Sequence, residues 1–247
     1  MTGALRAQEA TVAAPAQANG RDHHNGFLRK SGTLRVLRDC PLFETLAETV
    51  IEDLAAHARM LQVRGRSVLS GSGERGPGLC ILRQGAMKVC SPQRQNREVI
   101  LALLEPGDFF GEFSGMEAPP GRFRVVALRR CELLVIPASV FGELLLRESG
   151  VRLACLQAVA RRIRQAEDTL RRLTLENVHG RVEDTLRQLA AKGGESHPDG
   201  VLIRRRPSQV LLAGLAGSTR ETVSRVLRDL EARRVIACDG RQVLLRC

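Results

Sequence analysis

The 247-residue chain contains no tryptophan and no tyrosine, so seven phenylalanines are its whole aromatic complement. Recognition that stacks exposed bases on aromatic side chains, as in single-strand and RNA binding, is therefore poorly supported. No run of 18 apolar residues occurs, and the N-terminus lacks the basic-then-apolar order of an export signal, so the expected location is the cytoplasm with no membrane partner. The seven cysteines (Cys40, Cys80, Cys90, Cys131, Cys155, Cys238 and Cys247) are odd in number, scattered and without a C-x-x-C pair. That argues against disulfides, a zinc site and a clustered iron–sulfur site, and leaves small buried hydrophobes, with Cys247 exposed. Acidic residues are outnumbered, 27 Asp and Glu against 38 Lys and Arg, for a formal net charge of +11. A polyanionic partner is the natural inference, although charge alone does not reject a merely soluble basic protein.

Signs of catalysis are also missing. No nucleophile, base and orienting residue fall together, and no metal-ligand spacing appears. Gly71, Gly73 and Gly76 lie between short apolar runs without a following helix, which suits turns better than a phosphate-cradling loop. The adjacent His23 and His24 diverge in any regular structure and make no metal site.

Residues 1–30 are rich in Ala, Gln, Thr, Asn and Gly with little periodicity and read as a mobile tail. A helical pattern from Leu34 to His57, broken by Pro41, leads into a domain ending near 137. Between 60 and 137, short runs (60–63, 67–69, 78–82, 86–90, 98–104, 122–128 and 131–136) are punctuated by glycines and predict an antiparallel sandwich or barrel. From 138 to about 177 the period is helical. Leu156, Val159, Ile163, Ala166, Leu170 and Leu173 recur at alternating steps of 3 and 4, a coiled-coil seam that fits a parallel second copy better than its own sheet domain. The last domain, 179–247, is expected to hold a helix (181–191), a loop (192–200), two short helices and a hairpin turning at Asp239-Gly240.

The two short helices, 208–215 and 219–232, are separated by a break at Gly217, the helix-turn-helix pattern. Ala213 permits close approach of the helices and Gly217 supplies the positive φ of the corner. Leu212, Ala216, Val223 and Val226 fall inward; Ser208 caps the first helix and Ser218 or Thr219 the second. Arg220, Glu221, Ser224, Arg225 and Arg228 remain outward, a set suited to base edges in a major groove. The plainer account makes Ser218 and Glu221 a capping box and Glu221–Arg225 an exposed i,i+4 pair. Arg204, Arg205 and Arg206 suit DNA phosphates or are a solvated charge run.

Three stretches, P-G-D-F-F-G-E-F (106–113), H-P-D-G (197–200) and S-T-R-E-T-V-S-R-V-L (218–227), make the chain resemble the Crp/Fnr family of bacterial transcription regulators from about Asp39 to Leu245. The resemblance implies an α+β fold: a β-roll of cyclic-nucleotide-binding type (31–137), a dimerisation helix region (138–178) and a C-terminal winged helix-turn-helix. It implies a homodimer on a palindromic double-stranded operator, with no catalysis and no cofactor, and with RNA polymerase met through 197–200. Arg220, Glu221 and Arg225 match the residues that read GTG-containing half-sites, Ser224 matches the serine of the anaerobic-regulator branch, and Ser208 and Gln209 complete the DNA-binding set. In the effector pocket Gly111, Glu112 and Arg122 match ligand positions, alternatively an inherited ion pair. Phe123 stands where a serine is expected, and Ala166 and Glu167 replace the two hydroxyl residues that meet adenine. The expectation is operation without cyclic AMP; the alternative is gating by a different nucleotide.

Overall fold

The computed structural model describes residues 25–70, 78–91, 98–111 and 123–246. His23, His24, Cys247 and the expected tail up to residue 24 lie outside these residues. α1 (Asn25–Arg38) begins inside the stretch read as tail. Pro41 stops it, since it has no N–H to extend a helix. After a turn that buries Leu42 and Phe43, α2 spans Glu48–His57.

Among the described residues eight strands follow: β1 (Arg59–Val63), β2 (Val68–Ser70), β3 (Leu79–Gln84), β4 (Met87–Cys90), β5 (Ile100–Leu104), β6 (Phe109–Phe110), β7 (Arg124–Ala127) and β8 (Cys131–Ile136). They form two four-stranded sheets, ordered β1-β8-β3-β6 and β2-β7-β4-β5. The seven predicted runs are strands, and β6 is an eighth too short to show a period. β3 and β8 sit mid-sheet with both faces covered. Leu79, Ile81, Leu134 and Ile136 pack with Leu37, Phe43, Ile51, Leu54 and Phe141 on the helical side. Cys80, Leu82, Leu133 and Val135 face the other way, into Met87, Leu104, Val125 and Ala127. Burial on two faces is why these strands read as unbroken apolar runs, and each such leucine contributes about 1.5–3 kcal/mol. Burial pushes the Cys40 and Cys80 thiols up to about 11 and about 12, so both stay protonated as core filler.

The helical stretch expected over 138–177 is two helices, α3 (Ala138–Arg147) and α4 (Ser149–Leu175), with Glu148 extended between them. The Arg152 guanidinium donates to the Leu145 and Leu146 carbonyls at 2.7 and 3.0 Å, partners that the last turn of α3 would otherwise lack. This cap, supplied by the next helix, left no punctuation in the sequence. Among the described residues, no helix is long and apolar enough to cross a membrane.

In the C-terminal domain α5 (Val178–Gly193) starts earlier than expected because the Asn177 side chain accepts from the Gly180 N–H at 2.9 Å. The loop expected over 192–200 is instead part of a hairpin of β9 (Glu195–His197) and β10 (Gly200–Ile203). β9 is an edge strand carrying Glu195 and Ser196, so no apolar alternation betrayed it. α6 (Gln209–Leu215), α7 (Arg220–Ala232), β11 (Ile236–Asp239) and β12 (Gln242–Arg246) complete the domain, with sheet order β11-β12-β10-β9. Asp239 pairs with Gln242, so the terminal hairpin turns at Gly240-Arg241 rather than Asp239-Gly240.

A Cβ at Gly200 (φ +143) would lie 1.9 Å from the Leu245 carbonyl oxygen, whereas one at Gly240 (φ +55) would meet nothing within 4 Å. Gly240→Ala is expected to cost about 1 kcal/mol of left-handed strain, and Gly200→Ala more than about 3 kcal/mol. Urea unfolding followed by far-UV dichroism measures both. Equal midpoints would contradict the β10–β12 register.

Candidate nucleic-acid interface

The corner between α6 and α7 is closed by backbone geometry. Gly217 is left-handed (φ +58), the Ser218 N–H reaches back to the Ala213 carbonyl at 2.8 Å, and the Gly217 N–H reaches Gly214 at 3.3 Å. This six-to-one, five-to-two pair satisfies the last carbonyls of α6 and turns the chain sharply. The Ser208 hydroxyl caps α6 by accepting from the Leu211 N–H at 3.2 Å. α7 is capped by Thr219, which accepts from the Thr222 N–H at 3.3 Å, so the Ser218–Glu221 capping box does not form. The corner is further held from α5, where the Arg181 Nε donates to the Ala216 carbonyl at 2.8 Å. Arg181 is a positioning residue that the sequence did not reveal, because nothing local distinguishes it from the other arginines.

Val223, Val226, Leu227 and Leu230 of α7 are buried among Leu212 and Ala213 of α6 and Ala216 just after it, with Val182 and Leu186 of α5. That sets the phase of the helix. Arg220, Glu221 and Arg225 are left exposed and Ser224 half-buried on the opposite face. Among the described residues, none of Arg220, Glu221 and Arg225 enters an ion pair, and the exposed Glu221–Arg225 pair of the plainer account is not formed. Arg228 turns back instead, donating to the Ser224 carbonyl at 3.4 Å. Asp229 lies 3.7 Å from the Arg233 guanidinium and 3.6 Å from the His179 ring.

Beside this face lies an open concavity of about 320 Å³ whose walls include Arg206, Ser208, Gln209, Val210, Arg220 and Arg241. The Arg206 N–H donates to the Arg241 carbonyl at 2.8 Å, tying the start of α6 to the terminal hairpin. The three arginines at 204–206 therefore differ in placement. Arg206 lines the concavity, Arg205 is exposed, and Arg204 is engaged by Glu195, whose carboxyl it holds below the usual carboxylate range by hydrogen bonding. His197 to Gly200 form the turn of the β9–β10 hairpin, with the Asp199 N–H donating to His197 Nδ1 at 3.2 Å.

On α4 the six seam positions divide. Leu156, Ile163 and Leu170, exactly seven residues apart, are 67%, 53% and 62% exposed, and Ala166 is exposed with them. Val159 and Leu173 are half-buried. A Cβ at Gly217 would come within 2.3 Å of a Leu173 methyl, so Leu173 packs close to the helix corner. Of the effector-pocket set, Gly111 has φ +85 after β6, and Glu167 is exposed on α4. Glu112 and Arg122 lie outside the described residues, and Phe123 is 54% exposed.

Residues 60–148 match the cyclic nucleotide-binding domain and residues 180–246 the Crp-like helix-turn-helix domain. The chain is 27% identical over 200 residues to the cAMP-activated global transcriptional regulator CRP of Salmonella typhimurium, covering 80% of this chain and 94% of that protein. It is 28% identical over 196 residues to a CRP-like cAMP-activated global transcriptional regulator of Mycobacterium tuberculosis, covering 78% and 87%. Among solved structures, the c-di-GMP-responsive global regulator CLP of Xanthomonas campestris superposes with a TM-score of 0.70 at 24% identity, over 81% of this chain and all of that one. With a cyclic nucleotide-binding domain followed by a Crp-like helix-turn-helix, the chain belongs to the Crp/Fnr family of DNA-binding transcription regulators.

Proposed function

We propose that the protein acts in the cytoplasm as a homodimer that lays α7 of each copy into the major groove of a palindromic operator with a GTG core in each half-site, without requiring cyclic AMP. The observation that carries this reading is the exposed Arg220, Glu221 and Arg225 set, unpaired among the described residues at the start of a helix whose other face is buried. A free guanidinium can fork onto guanine O6 and N7, and a free carboxylate can accept from cytosine N4. Ser224 adjusts the flanking base preference, while Ser208 and Gln209 meet the backbone and fix the register. The 197–200 turn offers a surface to RNA polymerase.

The dimer rests on Leu156, Ile163 and Leu170, which expose apolar surface at a strict heptad spacing. A second parallel copy of α4 buries that stripe, and two-fold symmetry then spaces the reading helices by about 34 Å, one turn of duplex. Independence from cyclic AMP rests on Phe123 in place of a hydroxyl donor and on Glu167, whose carboxylate opposes an anionic ligand. The match of residues 60–148 to a nucleotide-binding domain, with the exposed ring of Phe123, supports a second reading in which a different nucleotide gates the protein.

Arg220→Ala and Arg225→Ala are each expected to lose about 1–3 kcal/mol on the palindrome and little on scrambled duplex. Titrations of both duplexes at fixed salt measure this, and equal losses on the two would remove the base-reading role. Ile163→Asp is expected to yield a folded monomer at micromolar concentration in sedimentation, since the side chain is already exposed in one chain; an unchanged dimer would place the interface elsewhere. Calorimetry with cyclic AMP, cyclic GMP and cyclic di-GMP should give no binding heat, with operator affinity unaltered. Heat and tighter operator binding from one of them would instead favour the gated reading.

A further inference from the structure

Val210 is the second residue of α6, a position where polar or acidic side chains help a helix start and a β-branched one helps least. Packing does not account for it either. It is 59% exposed, and from α5 onward no other large hydrophobic among the described residues is so exposed. Its surroundings are cationic: it shares its concavity with Arg206, Arg220 and Arg241. The neighbouring Ser208 hydroxyl is already committed to the Leu211 N–H.

Three guanidiniums suit a phosphodiester chain, against which an aliphatic side chain contributes nothing. The major groove offers one apolar feature, the C5-methyl group of thymine. We propose that Val210 is a specificity determinant whose methyl groups pack on the C5-methyl of a thymine in or beside the half-site. The Arg220 side chain, bordering the same concavity, reads its guanine next to that contact. This rests on the reading of α7 as the base-reading helix, and it adds an apolar contact from α6 to that polar one.

The test uses a duplex selected by the full-length protein from a randomised pool. Thymines of one half-site are replaced one at a time by deoxyuridine, which removes the methyl group alone. Wild type is expected to weaken about fourfold at one position, the equivalent of withdrawing one methyl from an apolar contact, and to be indifferent at the others. Val210→Ala and Val210→Ser should bind the unmodified duplex with that weaker affinity and not notice the replacement. Both should fold as wild type does, since the side chain is exposed. No sensitive thymine in wild type, or a sensitivity that survives in Val210→Ala, overturns the proposal. Equal binding of unmodified operator and scrambled duplex by wild type overturns the reading of α7 itself, and this contact with it.

Discussion

The rotational phase of α7 is the constraint on which the proposed reading of DNA depends. A helix carries side chains all round, and burial of Val223, Val226, Leu227 and Leu230 against α6 and α5 decides which ones solvent or DNA can meet. A rotation of one residue, about 100°, would bring a buried valine outward and drive an arginine into the core. Ionised side chains bear that displacement badly, which makes the apolar contacts a source of precision in the exposed face of α7. Gly217, the Ala213 carbonyl and Arg181 hold the corner that carries this phase from α6 into α7.

Apolar surface is handled in opposite ways in the two halves of the chain. In the roll, β3 and β8 bury both faces, one under helices and one under the second sheet, and little is left over. On α4, Leu156, Ile163 and Leu170 stay outside every hydrophobic cluster of the described residues. The same hydrophobic driving force that closes the roll is therefore unspent along α4, and a heptad stripe is the shape in which a second helix can use it. Charge behaves in parallel: Arg204 and Arg228 are drawn into contacts within the chain, while Arg220 and Arg225 are not.

Legibility followed period and punctuation. The helix-turn-helix was readable because Ala213, Gly217 and the inward valines each carry a steric requirement at a fixed offset. The runs of the roll were readable because two-sided burial demands unbroken apolar stretches, as at 79–82 and 133–136. What went unread lacked such marks. β9 is polar and at an edge, β6 is two residues long, and the break at Glu148 is stabilised by Arg152 from the next helix. The Asp239-Gly240 dipeptide has strong turn chemistry, but pairing with β12 moved the loop one residue on. Leu173 fits the seam by spacing, and its closeness to Gly217 could not be read from that spacing.

The order of residues alone determined the family's architecture, the inward face of α7 and the list of candidate side chains for reading a groove, because these follow from periodicity and residue size. Tertiary structure decided which members of that list stay free. Glu221 and Arg225 stand four apart, as an ion pair would, yet remain separate, and Val210 shares a wall with Arg220 and with Arg241 of a hairpin thirty-one residues away in sequence. Such neighbours come from chain segments brought together by packing, a long-range event that no local spacing encodes.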